Sequence, residues 1–247
     1  MPRSARKKSE RGIYHIMLRG INRQQIFEDT EDHQRFIETL LKYKEQCGYL
    51  IYAYCLMGNH LHILLKEGKE EIDLIVKRIA GSYVYWYNRK YRRTGHLFQD
   101  RFKSEPVDDD RYFLTVLRYI HQNPIKAKIC KTAEQYRYSS MNEYLVNSNH
   151  VDVDLVFSMI SKEQFIEFHK EENFDKCLED ETHYRLTDDE AKKIIQKVTK
   201  CHNIAELQLL DKAKRNLYIK KLFSKGLSIR QINRLTGISK KIVETNI

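Results

Sequence analysis

A chain of 247 residues with 41% hydrophobic content can bury a real core, and its 9 Gly and 3 Pro leave little material for long flexible linkers. No run reaches the roughly 18 consecutive apolar residues of a membrane span, and the N-terminal MPRSARKKSERG lacks the apolar stretch of a secretory signal, so no membrane partner and a cytoplasmic location are expected. Lys and Arg outnumber Asp and Glu by 44 to 34, a surplus of +10 that favours a polyanionic partner.

Charge divides the chain into three parts. Residues 1–150 carry 26 basic and 18 acidic side chains, 151–184 carry 3 and 10, and 185–247 carry 15 and 6. Two basic blocks therefore flank an acidic stretch, read as a helical connector that a polyanion would repel. The five cysteines, Cys47, Cys55, Cys130, Cys177 and Cys201, are scattered and odd in number, which predicts reduced thiols and neither a disulfide framework nor a zinc knuckle.

In the first block Gly12 to Leu18 reads as a strand, and Thr30 to Gln46 carries Phe36, Ile37, Leu40 and Leu41 at helical spacing behind an Asp29/Thr30 cap signal. Tyr49 to Leu56, rich in aromatic and branched residues, is turned by Met57-Gly58-Asn59 into a second strand, His60 to Leu65. A helix from about Glu70 to Tyr91, a short strand near Phe102 to Val107 and a helix from about Asp109 to Asn123 follow. Pro124 disfavours helical geometry in the residue before it and is expected to end the last helix. The order βαββαβα predicts an α+β fold, an antiparallel sheet with helices packed on one face.

Three stretches could carry chemistry. On a strand, His60 and His62 of Asn59-His60-Leu61-His62 point to one face, which makes half a metal site or merely a solvated pair on a hairpin. In the helix LRYIHQNP, Tyr119 and Asn123 sit four apart on one face, away from the apolar stripe of Phe113, Leu117 and Ile120, with Tyr112 one heptad earlier, a pattern that by itself also describes an ordinary amphipathic helix with a half-buried tyrosine and an Asn near its C-terminus. Lys77 to Lys103 holds eight basic residues, one acid and seven aromatics, a composition that suits single-stranded nucleic acid. Tyr83, Trp86 and Tyr87 also fit a core by spacing, which leaves Arg89, Lys90, Arg92 and Arg93 as a basic helix end.

Taken in order, YHIMLRGINRQQIF (14–27), YCLMGNHLHILL (54–65), GHLFQDRFKSEPV (95–107) and LRYIHQNPIKA (117–127) resemble the single-tyrosine HUH transposases, in particular the REP-associated tyrosine transposases, over about residues 10–145. The resemblance implies a ferredoxin-like catalytic domain in which His60 and His62 form the HUH element, Tyr119 is the nucleophile and Asn123 completes the site of a divalent metal, Mg²⁺ or Mn²⁺. It further implies cleavage and joining of single-stranded DNA near a hairpin through a 5′-phosphotyrosine, by a monomer or a homodimer. Arg19, Arg23, Arg89, Lys90, Arg92, Arg93, Arg101 and Lys103 are the candidate contacts to DNA. The roles of His15 and Asn22 stay open.

The C-terminal block has its own pattern. Asn216 to Lys225 reads as a helix, Ser228 to Gln231 as a capping box opening another, and Thr236-Gly237-Ile238-Ser239 as a tight turn with a fresh cap at Ser239. Leu222, Leu227, Ile229, Ile232, Leu235, Ile238, Ile242 and Val243 would fill a small helical core. This resembles the helix-turn-helix modules of replication initiators and resolvases, with Lys240 and Lys241 facing duplex DNA, although small three-helix bundles also dock proteins. Two other readings of the whole chain are a domesticated repeat-DNA-binding protein without cleavage and a hydrolase of another phosphodiester, including RNA.

Overall fold

The computed structural model describes residues 6–146, 150–172, 177–178, 188–200, 204–227 and 229–246. By contacts the chain forms two units, Met1–Leu178 and Glu179–Ile247.

In the first unit, β1 (Ile13–Arg19) is followed by α1 (Thr30–Cys47), β2 (Leu50–Met57), β3 (His60–Lys66), α2 (Ile72–Lys90), β4 (Lys103–Pro106) and α3 (Asp110–Lys126). The four strands form one antiparallel sheet in the order β2-β3-β1-β4, which makes the unit α+β as expected. Local signals set the helix ends. Asp29 and Asp32 form a reciprocal capping box at the start of α1, Gly48 closes it in the left-handed region at φ 68°, and Asp109 accepts from Tyr112 N at the start of α3.

The expectation of helices on one face needs correction. Ile13 to Leu18 of β1 are all buried, as are Ile51 to Met57 of β2, and consecutive burial on a strand requires both faces to be covered. One face carries α3, with Phe113 edge-on to Tyr52 at 5.0 Å and Tyr119 edge-on to His15 and His62. Helices α1 and α2 pack on each other through Phe36 and Tyr83, whose rings lie 5.1 Å apart. A second correction concerns α3, which continues through Pro124 to Lys126. Proline removes one donor, but Ala127 N–H still bonds Asn123 O at 3.0 Å and Ile129 N–H bonds Pro124 O at 2.9 Å, so the last turn closes.

After α3 the chain returns along the outer edge of β2. Leu56 N–H bonds Tyr138 O at 2.9 Å, Ser140 N–H bonds Tyr54 O at 3.0 Å and Asp152 N–H bonds Ile51 O at 2.7 Å, which covers an otherwise open strand edge. Three short helices, α4 (Met141–Leu145), α5 (Asp154–Met159) and α6 (Lys162–Lys170), complete the unit. Val151, Val156, Phe165 and Cys177 are buried in the same core as the sheet, and Phe165 stacks on Tyr144 at 4.6 Å. Much of the acidic stretch assigned to a connector is thus packed structure whose acids, such as Glu163 and Glu167, face solvent. No disulfide links the described cysteines, and among the described residues no helix is long and apolar enough to cross a membrane.

The second unit contains α7 (Asp188–Thr199), a 3-10 turn (Ile204–Gln208), α8 (Lys212–Ser224), α9 (Ile229–Thr236) and α10 (Lys240–Thr245). Ala191, Ile195, Leu207, Ile219, Leu222, Leu227, Ile232, Ile238 and Val243 form its core. Helix α8 starts four residues earlier than the apolar pattern suggested, because Asp211 caps Lys214 N–H at 2.9 Å. Gly237, at φ 72°, makes the turn between α9 and α10, where a Cβ would lie 2.0 Å from Gln208 Nε2. Ser239 stands at the N-cap of α10 without a side-chain cap bond. The Ser228 capping box falls outside the described residues.

Candidate active site

Strand alternation puts His60 and His62 of β3 on one face, with ring centroids 5.3 Å apart. In the β1–β3 register Arg19 lies opposite His60 and Met17 opposite His62. His15 is then the diagonal neighbour of His62, close enough for side chains to meet, and their Nε2 and Nδ1 atoms are 2.9 Å apart. On the other side of β1, His15 is the direct partner of Glu105 in β4, and its Nδ1 lies 2.8 Å from Glu105 Oε1.

Helix α3 brings its own residues over this face. Tyr119 has its ring 5.7 Å from that of His62 and 5.8 Å from that of His15, both edge-on. One turn later Asn123 Nδ2 donates to Tyr119 O at 3.0 Å, which leaves Oδ1 as an acceptor. Lys126 Nζ sits 4.4 Å from the Tyr119 ring centre. The structure therefore brings Tyr119 beside His62, on the sheet face that also carries His60, although Tyr119 and His60 are 59 positions apart in the chain, and Asn123 follows Tyr119 one turn along α3.

Burial first, and then the Arg19 charge, pushes His60 down to about 4. His62 is driven well below its ordinary value by burial, then by His15 and His60, with Arg19 and Lys126 adding to the effect. Both imidazoles are neutral at pH 7, the state a metal ligand needs. His60 Nδ1 is held by Asn59 Oδ1 at 2.7 Å and His62 Nδ1 by His15, so each ring keeps Nε2 for a ligand. Among the described residues no three His, Cys, Asp or Glu side chains form a metal cluster. By donor type, two imidazoles and an amide carbonyl oxygen such as that of Asn123 would suit a divalent cation completed by water and phosphate.

The candidate DNA contacts fall into groups. Arg19 ends β1, and Arg23 lies in the turn after it, where a Cβ on Gly20 would come within 2.2 Å of Gln24 O. Arg93 reaches the same turn, donating to Gln24 Oε1 at 3.1 Å, while Arg89 and Arg92 are exposed at the end of α2. Arg101 and Lys103 are exposed before and on β4, and Lys240 and Lys241 are exposed on α10, the former paired with Glu244 at 3.2 Å.

Lys90 differs from these. It bonds Asp29 and Asp32 at 2.8 Å and Glu31 at 2.9 Å, with Asp32 fully buried, so it serves α1 and is withdrawn from the DNA contacts. Tyr83 and Tyr87 are core, donating from their hydroxyls to Ile26 O at 2.5 Å and Gln25 O at 3.3 Å, whereas Tyr85 is 72% exposed. No local pattern in the sequence marks Glu105 or Lys126, or assigns a role to His15. Only the sheet register and the helix face reveal them.

Residues 8–123 match the family described as "Transposase IS200 like". No curated protein matches the chain. Among solved structures, a REP-associated tyrosine transposase bound to a REP hairpin aligns with a TM-score of 0.51 at 15% identity, over 74% of this chain and 96% of that one, a likeness of fold. A candidate transposase from Deinococcus radiodurans R1 aligns with a TM-score of 0.35 at 19% identity, over 49% of this chain and 97% of that one. The matched segment includes His15, His60, His62, Glu105, Tyr119 and Asn123, and over that segment the chain is similar to the IS200-like transposases.

Proposed function

We propose that the protein is a metal-dependent endonuclease and strand transferase for single-stranded DNA, acting beside a hairpin through a 5′-phosphotyrosine. The observation that carries this reading is the Tyr119 ring edge-on to His62, on the sheet face where two neutral imidazoles keep Nε2 for a ligand. His60, His62 and Asn123 would hold Mg²⁺ or Mn²⁺, which when bound polarises a phosphate oxygen and orients the scissile bond. A hairpin substrate is suggested by the REP hairpin held by the structural relative.

The chain's own groups supply the rest. The Tyr119 hydroxyl attacks phosphorus, the bond to the 3′ oxygen breaks, and that oxygen leaves as a 3′-hydroxyl after taking up a proton, so the phosphodiester energy is kept for rejoining. The Lys126 ammonium over the ring favours the phenolate that must form. Arg19 and Arg23, at one edge of the site, would hold the flanking phosphates, and Arg89, Arg92 and Arg93 would extend that track. The second unit, with Lys240 and Lys241 on its last helix, would add affinity for duplex DNA.

One observation favours a second reading, a DNA-binding relative without cleavage: Tyr119 is only 3% exposed, so substrate must displace or reorient a neighbour to reach it. A single experiment separates the two. Labelled single-stranded hairpin DNA and Mn²⁺ are incubated with the protein and run in SDS. A covalent adduct lost in Tyr119→Phe, with binding in native gels near normal, is expected. Retention in native gels without any adduct favours the binder, and product release without an adduct points to simple hydrolysis.

A further inference from the structure

We infer that the groove between α2 and residues 96–102 is a binding site for one unpaired nucleobase, which enters over Gly81 with Tyr85 at the rim. The inference rests on the proposed reading of single-stranded DNA as substrate and adds to it a subsite on the sheet face away from the histidines.

The groove is a cavity of about 630 Å³, a volume that suits a small ligand. Val76, Ala80 and Val84 line it from α2, and Leu97, Phe98 and Phe102 line it from the segment before β4. That second wall is fixed by the backbone, because Ile21 N–H bonds Leu97 O at 2.9 Å, Gln99 N–H bonds Arg19 O at 2.7 Å and Phe98 bridges Gly20. Leu18 also lines the groove, and strand alternation turns it away from Arg19, which pairs with His60. The end of β1 therefore has Arg19 on one face and this groove on the other.

Gly81 is the second observation. It lines the groove from the middle of α2, where glycine weakens a helix more than any residue except proline. Packing does not require it there, since an added Cβ would meet nothing within 4 Å. The missing side chain instead keeps the groove open along one edge. Tyr85, one turn further on the same helix face, is 72% exposed and makes no hydrogen bond or ring contact with another described residue. An exposed ring beside an apolar slot suits a base, which has a flat face to stack and a polar edge to leave in water.

Charge on the rim favours a base carried on a phosphate backbone. Lys77 and Arg101 are exposed there. Arg6 lies 3.7 Å over the Phe102 ring, donates to Phe102 O at 3.0 Å and pairs with Asp73, so it braces the mouth and offsets that acid. Asp100 is the other acid on the lining, against which Lys77 and Arg101 leave a positive balance for phosphate. A strand held at Arg19 and crossing the end of β1 would bring a neighbouring base to the groove.

The test follows bases in EDTA, without cleavage. A DNA hairpin with single-stranded flanks carries 2-aminopurine at each unpaired position in turn, and a parallel series carries an abasic site; both are titrated with the full-length protein. One position is expected to change its emission on binding more than the rest, and an abasic site there should weaken binding about 10-fold. Gly81→Leu, which fills the groove and favours the helix, should abolish that signal and weaken the intact hairpin about 10-fold, with no further loss on the abasic one and no fall in melting temperature. Tyr85→Ser, at an exposed ring outside the core, should reduce both signal and affinity, and it carries the test if Gly81→Leu does not fold. The inference is overturned if no unpaired position stands out, if signal and abasic penalty survive these substitutions, or if Gly81→Leu alters only the oligomeric state in sedimentation. The cleavage reading fails separately: a base captured in EDTA by a protein that forms no adduct with Mn²⁺ keeps the subsite, and an adduct without a captured base removes it.

Discussion

His60 and His62 can bind a cation only as neutral rings, and burial makes them so. His60→Ala removes one of two imidazoles and is expected to abolish the SDS-stable adduct as completely as EDTA does in the wild type; an adduct formed under both conditions would remove the metal from the scheme. A second buried pair tests the same physics through stability. His121 of α3 meets His169 of α6 at 2.9 Å and Ser140 Oγ at 2.8 Å, while His169 Nδ1 donates to Phe165 O at 2.8 Å. Burial pushes His169 down to about 4 and His121 well below its ordinary value. Both rings therefore stay neutral in the fold where the unfolded chain, with histidines near 6.5, would take up protons. Their effect on stability is absent above about pH 7 and grows as pH falls towards 4, with His169 alone costing about 2 kcal/mol at pH 5. Denaturant unfolding at pH 7.5 and pH 5 should show this loss.

At the scale of elements, a basic run has two jobs that composition does not separate. Lys90 joins the end of α2 to the start of α1, where Asp29, Glu31 and Asp32 also favour the helix dipole. Lys90→Met strands the buried Asp32 carboxylate and should lower stability by about 2–4 kcal/mol without weakening DNA binding. Arg89→Ala and Arg92→Ala should do the reverse, keeping the unfolding temperature and each flattening the salt dependence of binding by about one phosphate contact. Melting curves and binding at several salt concentrations check both. Most elements were legible because period, capping and turn residues are local: Asp29 before α1 and Met57-Gly58-Asn59 between β2 and β3 announce themselves. The end of α3 was not, because Pro124 costs one hydrogen bond that packing over the sheet and the closing bonds of Ala127 and Ile129 offset.

For the whole molecule, the division of the chain matters more than its charge map. Residues 151–178 supply Val156 and Phe165 to the main core, so a chain ending at residue 150 should aggregate, whereas residues 1–178 should melt cooperatively and still form the adduct. Circular dichroism and the SDS gel distinguish these outcomes. By itself the sequence determined the order βαββαβα, the shared face of His60 and His62, the spacing of Tyr119 and Asn123 and the basic balance, all of which depend on neighbours a few residues away. Only the tertiary structure decided that α3 lies over the histidine face, that Lys90 is a structural cation and that Glu105, His15 and His62 form one chain. Those contacts join residues 47 and 90 positions apart through a strand register, which no local periodicity encodes.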